Sequence, residues 1–335
     1  MIPQSAPLIK TPFWQTELAN AVKNPEALLK QLGLSGKLQN IPEELIRNFP
    51  LRVPQSYVDK MRFGDKNDPL LRQVFPLIDE SIEHKGFVHD PVGDHLAITS
   101  PGILQKYNGR ALLLTTGACA IHCRYCFRRH FPYTDSNPLA SQWQKTIESI
   151  QDDTSINEVI FSGGDPLSLG DEKLAKLVEQ LDTIKHLKRL RIHTRLPVVL
   201  PNRINKQLLA WINKTRLNVV MVIHSNHANE LGEDVAEGLA KLHHAGCQLL
   251  NQAVLLQGIN DSAESLVQLS ERLSEVNTLP YYLHLLDRVA GASHFDVSDE
   301  EGVVLINTIR AILPGYLVPR LVREQQGEMS KTVIA

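Results

Sequence analysis

The sequence predicts an α/β fold: a partial, TIM-like (β/α)6 barrel with a helical N-terminal extension. From about residue 110 onward, six short apolar runs typical of strands alternate with six segments of helical periodicity. A strand followed by a helix, six times over, favours a parallel sheet with right-handed crossovers, and six units are fewer than the eight of a closed barrel. We expect a helical N-terminal layer at 1–100, the barrel core at 101–315, and a C-terminal strand and tail at 316–335.

The positions of the predicted elements follow from these patterns. The predicted strands are 110–116, 156–161, 189–193, 218–224, 247–255 and 279–285. The predicted helices lie near 138–151, 171–184, 205–214, 232–245, 262–276 and 298–312. A seventh strand-like run follows, within "GYLVPRLVREQQGEMSKTVIA". Reactive groups of a parallel α/β sheet gather beyond the carboxyl ends of its strands, so the residues after each run are the site candidates.

The N-terminal layer shows apolar residues at helical spacing in "WQTELANAVKNPEALLKQLGL", which starts at Trp14. A second helical segment, "PEELIRNFP", begins with a proline, a residue that suits the first turn of a helix. No catalytic constellation is visible here. We expect this layer to cover a core that is built later in the chain.

Composition is that of an ordinary soluble globular protein, with 335 residues, 43% hydrophobic and 21% charged. The formal net charge of −2 gives no general attraction to nucleic acid or to anionic membranes, so neither partner is expected. The first 20 residues lack the apolar core of a signal peptide. Three of the four cysteines are crowded together, which argues against a disulfide framework and for a reducing compartment, the cytoplasm.

The crowded cysteines form the run "CAIHCRYC", in which Cys119, Cys123 and Cys126 are spaced C-x3-C-x2-C directly after the first predicted strand. Two of the thiols could be ordinary buried residues, or the loop could bind zinc with His122 or His130 as fourth ligand. Three thiolates on a [4Fe-4S] cluster would instead leave one iron without a protein ligand, open to a small molecule.

This cysteine pattern resembles that of the radical S-adenosylmethionine (SAM) superfamily, and the resemblance implies a [4Fe-4S] cluster whose open iron binds SAM. The second predicted strand ends in Gly163, Gly164 and Asp165, which resemble the superfamily's glycine-rich motif for the SAM amino group. Histidines also stand at strand ends, at positions 193, 224 and 284. We expect several of them in the pocket, and His224 to contact a cofactor.

From about Phe49 to Lys331 the chain resembles the lysine 2,3-aminomutase family. The resemblance implies that Lys331, in "GEMSKT", binds pyridoxal 5'-phosphate (PLP) covalently. It also implies that Arg128, in "CRYCFRRHF", binds the carboxylate of the substrate, and that Asp287 and Glu324 receive its distal ammonium. Two carboxylates at the far end of the pocket from an arginine would select an amino acid with a cationic side chain. Arg203 is a candidate for the PLP phosphate or, equally, for an ion pair.

The chain departs from the longer aminomutases at Ser262, where that branch has a zinc-binding cysteine, and zinc is not expected. It looks most like the short branch that makes (R)-β-lysine for attachment to elongation factor P. The resemblance implies L-lysine as substrate, a reductant such as flavodoxin, and a functional link to the ligase that lysylates elongation factor P. A general lysine 2,3-aminomutase making free β-lysine, and a radical SAM enzyme without PLP, stay open as alternatives.

Overall fold

A computed structural model describes residues 13–36, 41–100, 102–133 and 143–335. Its ten strands form one sheet whose spatial order follows the order along the chain. Numbered β1 to β10, they are Ile98–Ser100, Ile103–Leu104, Arg110–Thr116, Glu158–Gly163, Arg189–Thr194, Asn218–Ile223, Gln248–Val254, Leu279–His284, Arg320–Arg323 and Thr332–Val333. Strands β3 to β9 are parallel, and β1, β2 and β10 add antiparallel pairs at the two edges.

The crossover helices complete six βα units, so the predicted fold class is confirmed. Within the described residues these helices are Trp143–Asp152, Asp171–Asp182, Lys206–Lys214, Glu233–His244, Ala263–Glu275 and Asp299–Arg310. Part of the predicted helix near 138–151, up to residue 142, lies outside the described residues. Polar side chains cap several of these helices; Asn205, Ser262 and Ser298 each accept a hydrogen bond from a backbone N–H of the first turn.

The N-terminal extension is helical, as predicted. Its helices are short: Phe13–Ala19, Pro25–Gln31, Glu43–Asn48, Gln55–Val58 and Pro69–Arg72. Trp14, Leu28 and Tyr57 are buried in the same hydrophobic cluster as the barrel strands. The extension is therefore packed onto the barrel as part of one core. The division of the chain at residues 100 and 315 stays a prediction; β1, which ends at Ser100, already pairs with β2.

Two features of the sheet position the site. All six residues of β4 are buried, since helices cover its outer face and the barrel interior lies on the other. At the far edge β9 and β10 pair as an antiparallel hairpin, with Thr332 opposite Arg323. That register sets the residues just after β9 beside those just before β10. No helix in the described ranges is long and apolar enough to span a membrane.

Candidate active site

A cavity of about 620 Å³ opens among the loops that follow the parallel strands and extends along the barrel interior. Almost all of the predicted site residues line it: Cys119, Cys123, Cys126, Arg128, Gly163, Gly164, Asp165, His224, Asp287, Glu324 and Lys331. The fold therefore brings residues from distant parts of the sequence to one place, beside the carboxyl ends of the strands, as the parallel topology predicts.

The cysteine loop is held to the N-terminal layer by Arg124, which lies between two of the cysteines and is fully buried. Its Nε donates to Glu80 Oε1 at 2.8 Å, and its Nη1 donates to the carbonyl oxygen of Phe49 at 2.7 Å. Glu80 also accepts from Arg129 Nη2 at 2.8 Å. One buried carboxylate thus holds two arginines of the loop.

The three thiols face a common space. Burial raises the pKa of Cys119, and the neighbouring Cys126 and Cys123 raise it further. Burial likewise raises the pKa of Cys126, to about 11, with a further contribution from Cys123. The neighbouring thiols therefore disfavour ionisation of Cys119 and Cys126 unless positive charge is supplied between them.

The histidines considered for a zinc site lie close to backbone oxygens. Nδ1 of His122 lies 2.8 Å from the carbonyl oxygen of Pro50, and Nε2 of His130 lies 3.2 Å from that of Ala290. Across the described ranges, no group of three or more His, Cys, Asp or Glu side chains is arranged to hold a single metal ion.

The loop after β4 needs its glycines for close packing against the cysteine loop. Gly163 has φ +122°, and a Cβ there would lie 2.4 Å from the carbonyl oxygen of Thr116. A Cβ at Gly164 would lie 2.5 Å from the carbonyl oxygen of Ala118. Asp165 is buried and accepts from the backbone N–H groups of residues 167, 195 and 196 and from Thr194 Oγ1. Its carboxylate therefore joins the loops after β4 and β5.

Arg128 points into the cavity in an ion pair that the sequence did not reveal. Its Nε donates to Asp94 Oδ2 at 2.6 Å, and its Nη1 donates to Ser162 Oγ at 3.0 Å. Asp94 also pairs with Lys106 at 2.7 Å. Burial raises the pKa of Asp94, but Arg128 and Lys106 outweigh this and hold it at about 2. Asp94 is thus an anion that occupies the guanidinium expected for the substrate.

Lys331 and Glu324 meet across the β9–β10 hairpin, where Lys331 Nζ lies 2.5 Å from Glu324 Oε2. The other carboxylate oxygen of Glu324 accepts from Tyr107 at 2.7 Å. Burial raises the pKa of Glu324, but Lys331 more than offsets this and the net pKa is lowered. Among the residues that the structure describes, the carboxylate of Asp287 has no such ion-pair partner. Burial raises its pKa to about 7, which Lys331 opposes and Glu324 reinforces.

Asp94, Lys106 and Tyr107 are site residues that the sequence analysis missed. All three line the cavity beside predicted residues, although they come from the segment just before β3. Their surrounding sequence, "DHLAITSPGILQKYNGR", carries no motif and no clear periodicity. Only their contacts to Arg128 and Glu324 identify them as residues of the site.

Three histidines, one buried and two half-buried, stand at the ends of β5, β6 and β8, as their sequence positions suggested. They are His193, His224 and His284, and each has an Nε2 atom with no hydrogen-bond partner in the described part of the chain. Burial lowers the pKa of each, and the cation of Lys331 lowers it further; for His224 the value is about 4. At neutral pH these are uncharged imidazoles that line the cavity.

Arg203 lies outside the cavity, so the structure does not bring it to the other predicted cofactor residues. It is fully buried, and its Nε donates to the carbonyl oxygen of Leu167 at 2.6 Å. Its Nη2 pairs with Asp171 at 2.8 Å, and the guanidinium lies over the Trp14 ring at 4.6 Å. These contacts occupy the guanidinium in joining the N-terminal layer to the barrel, which leaves it no path to a phosphate in the cavity.

Comparisons with known proteins agree with this architecture. The family model of the radical SAM superfamily matches residues 113–269. L-lysine 2,3-aminomutase from Escherichia coli K12 is 45% identical over 320 residues, which cover 95% of this chain and 93% of that protein. L-lysine 2,3-aminomutase from Clostridium subterminale is 31% identical, over 96% of this chain and 77% of that protein.

Among solved structures, a radical SAM methyltransferase from Sphaerobacter thermophilus superposes with a TM-score of 0.45 at 14% identity, over 66% of this chain and 68% of that one. The sequence relationship is the decisive one, since it extends over nearly the whole of both chains. The chain therefore belongs to the lysine 2,3-aminomutase family of the radical SAM superfamily.

Proposed function

We propose that this protein is a PLP-dependent radical SAM lysine 2,3-aminomutase that converts L-α-lysine into (R)-β-lysine for the modification of elongation factor P. One observation carries the proposal. The three clustered thiols line the same cavity as Arg128, the carboxylates of Asp287 and Glu324, and the amine of Lys331. An open iron-sulfur cluster requires the thiols, and a substrate carboxylate requires the arginine. A substrate ammonium requires the carboxylates, and an aldehyde cofactor requires the lysine.

Family membership implies the [4Fe-4S] cluster and SAM, and the residues present fit them. Cys119, Cys123 and Cys126 supply three thiols at one end of the cavity. When bound, the cluster and SAM would supply the radical that abstracts hydrogen from the substrate. The protein's part is to orient them: Gly163 and Gly164 keep the loop after β4 tight against the cysteine loop, and the neutral His224 offers an unpaired ring nitrogen.

Family membership also implies PLP, and the donor set fits that group as well. Lys331 supplies the amine for a covalent bond to the aldehyde. Three arginines, Arg110, Arg191 and Arg320, line the same cavity and are suited to a phosphate. Glu324, whose Oε2 lies 2.5 Å from Lys331 Nζ, would orient that amine for the covalent bond. PLP supplies the unsaturated system that lets an amino nitrogen migrate, which a free amine cannot do.

Selection of lysine follows from opposite charges in the cavity. A substrate carboxylate would replace Asp94 on Arg128, and Lys106 would then keep Asp94 paired at 2.7 Å. The pKa of Asp287 is about 7, so an arriving ammonium would favour the ionised carboxylate, which would release its proton to solvent and form an ion pair with the ammonium. A glutamate side chain would instead meet Asp287 and Glu324 with like charge, and would be rejected.

The elongation factor P role is the finer part of the proposal. Ser262 supports assignment to the short, zinc-free branch, because its side chain accepts from Ser265 N and so caps a helix. All four cysteines are unpaired, which suits a reducing cytoplasm where flavodoxin is available as electron donor. The expected functional partner is the ligase that attaches β-lysine to elongation factor P.

The test is anaerobic incubation of reconstituted protein with SAM, PLP and L-lysine, followed by chiral analysis of the product. We expect (R)-β-lysine, and we expect Lys331→Ala to lose the yellow absorbance of bound PLP while keeping the brown colour of the cluster. Retention of the PLP absorbance in Lys331→Ala would reject the lysine assignment. Adding the ligase and elongation factor P tests the recipient, because a product that the ligase ignores would indicate a general β-lysine producer.

A further inference from the structure

We propose that Arg195 is a positioning residue for the cluster: its guanidinium donates a hydrogen bond to Cys123 Sγ and raises the reduction potential of the cluster bound there. The inference rests on the proposed function, since it requires a cluster on Cys119, Cys123 and Cys126. It concerns a residue that no sequence motif of the site singled out.

The contact to the sulfur is direct. Arg195 Nη1 donates to Cys123 Sγ at 2.7 Å. The side chain is 5% exposed, so water does little to screen its charge. A cation and hydrogen-bond donor beside a ligand sulfur stabilises negative charge on the cluster that the sulfur holds. Among the cysteine ligands this gives Cys123 a positive partner, and it offsets the mutual repulsion that the clustered thiols would feel once ionised.

The guanidinium is held in one orientation by its other nitrogen. Nη2 donates to Gln73 Oε1 at 2.6 Å, to Glu230 Oε2 at 2.8 Å and to Tyr57 OH at 3.2 Å. Because the guanidinium is planar and rigid, fixing one nitrogen fixes the direction of the other. Arg195 is therefore constrained to point Nη1 at the sulfur.

The backbone of Arg195 is also held in place, through the loop after β4. Its N–H donates to Asp165 Oδ2 at 2.7 Å, and Thr194 Oγ1 donates to Asp165 Oδ1 at the same distance. The SAM-side glycine loop, the loop after β5 and the cysteine loop are thus joined through one arginine.

Glu230 is the counterion of Arg195, and it lies on the side away from the sulfur contact. Its Oε1 accepts from the backbone N–H groups of Asn226 and His227, at 2.8 and 3.0 Å. Arg195 contacts the sulfur through Nη1, whereas Glu230 contacts Arg195 through the opposite nitrogen, Nη2. The nearer charge has the larger effect on the cluster.

The two charges should therefore shift the reduction potential in opposite directions. Reduction adds an electron to the cluster, so a nearby cation and a hydrogen bond to a ligand sulfur stabilise the reduced form and raise the potential. Removing the positive charge of Arg195 should lower the potential. Removing the negative charge of Glu230 should raise it.

The experiment compares the reconstituted wild-type protein with Arg195→Gln, Arg195→Lys and Glu230→Gln. Tyr57→Phe is the matched control, because it removes one hydroxyl from the same cluster of contacts and changes no charge. For each we would measure iron and sulfide per chain, the midpoint potential by redox titration followed by electron paramagnetic resonance, and folding by circular dichroism.

We expect a lower potential in Arg195→Gln, a smaller decrease in Arg195→Lys, an increase in Glu230→Gln, and the wild-type value in Tyr57→Phe. Loss of iron from a folded Arg195→Gln protein would equally support a role in positioning Cys123 as a cluster ligand. Wild-type iron content together with a wild-type potential in the Arg195 variants would overturn the inference.

If Arg195→Gln fails to fold, the other two variants decide the question. The inference then requires a lower midpoint potential in Arg195→Lys and a higher one in Glu230→Gln. A wild-type protein that binds no cluster would count against the proposed function itself, so the two failures are distinguishable.

Discussion

Replacing Asp287 with Asn should make the ligand-free protein more stable at alkaline pH while weakening its hold on L-lysine. Burial raises the pKa of Asp287 from 3.8 to about 7, since the charged form is poorly solvated there; Lys331 opposes this and Glu324 adds to it. In the unfolded chain the same carboxyl ionises near its ordinary value. Between the two pKa values the folded protein therefore holds a proton that the unfolded chain has lost.

The sign and size of the effect follow from this difference in proton binding. Stability is lost as the pH rises from about 4 to about 7, and the loss is complete above pH 7. At about 1.4 kcal/mol per pKa unit, the raised pKa of Asp287 costs the folded protein about 4 kcal/mol at pH 8.5, where the group is charged, and about 3 kcal/mol at pH 6, where the fold keeps it mostly protonated. The neutral amide of Asn carries no such cost.

Urea unfolding of wild-type and Asp287→Asn protein at pH 6 and pH 8.5 provides the assay. We expect the free energy of unfolding of the variant to exceed that of the wild type by up to about 4 kcal/mol at pH 8.5. At pH 6 the difference should be about 1 kcal/mol smaller. An exposed control, Asp59→Asn, should show no comparable gain. An Asp287→Asn protein that is no more stable at pH 8.5 would refute the reasoning. In activity assays the variant should show a KM for L-lysine about 10- to 100-fold higher, since a charged hydrogen bond is lost.

Three further predictions concern the walls of the site. Arg128→Gln should raise the KM for L-lysine about 10- to 100-fold and leave the PLP absorbance intact; an unchanged KM would remove Arg128 from the substrate site. Gly163→Ala should lower the free energy of unfolding by more than about 3 kcal/mol, because backbone strain at φ +122° is joined by a contact of 2.4 Å between the new Cβ and the carbonyl oxygen of Thr116. The control Gly246→Ala, at φ +82° in open space, should cost about 1 kcal/mol. Equal losses in urea unfolding would contradict this. Glu80→Gln should cost about 3–5 kcal/mol and lower the iron content, since it leaves two buried arginines short of a counterion; full iron content would show that the cysteine loop does not need this pair.

Much of the architecture was predictable because it is written in local patterns. Burial of one face sets the helical spacing, and burial on both faces favours the apolar stretch at 159–161 of β4, so the six βα units could be located by periodicity alone. The order of strands then placed the cysteine loop, the glycine loop and the strand-end histidines at one mouth. Short-range spacing likewise sufficed for the three thiols.

Pairings between distant segments were beyond the reach of the sequence. Tyr107 and Glu324 are separated by 217 positions, and no spacing rule connects them. Arg203 shows the converse: it was a candidate for the PLP phosphate, yet its side chain pairs with Asp171 and lies against Trp14, outside the cavity. Which way a side chain points depends on the counterions around it, and those belong to other elements.

The sequence by itself determined the barrel and the thiol triplet, and its resemblance to the aminomutase family supplied the charged groups expected for a cationic amino acid. The tertiary structure alone decided which charge meets which: Asp94 with Arg128, Glu324 with Lys331 across the hairpin, and Arg195 with Cys123. The physical reason is that apolar periodicity is a property of neighbouring residues, whereas an ion pair in a low-dielectric interior depends on three-dimensional distance and on the solvation lost at that point.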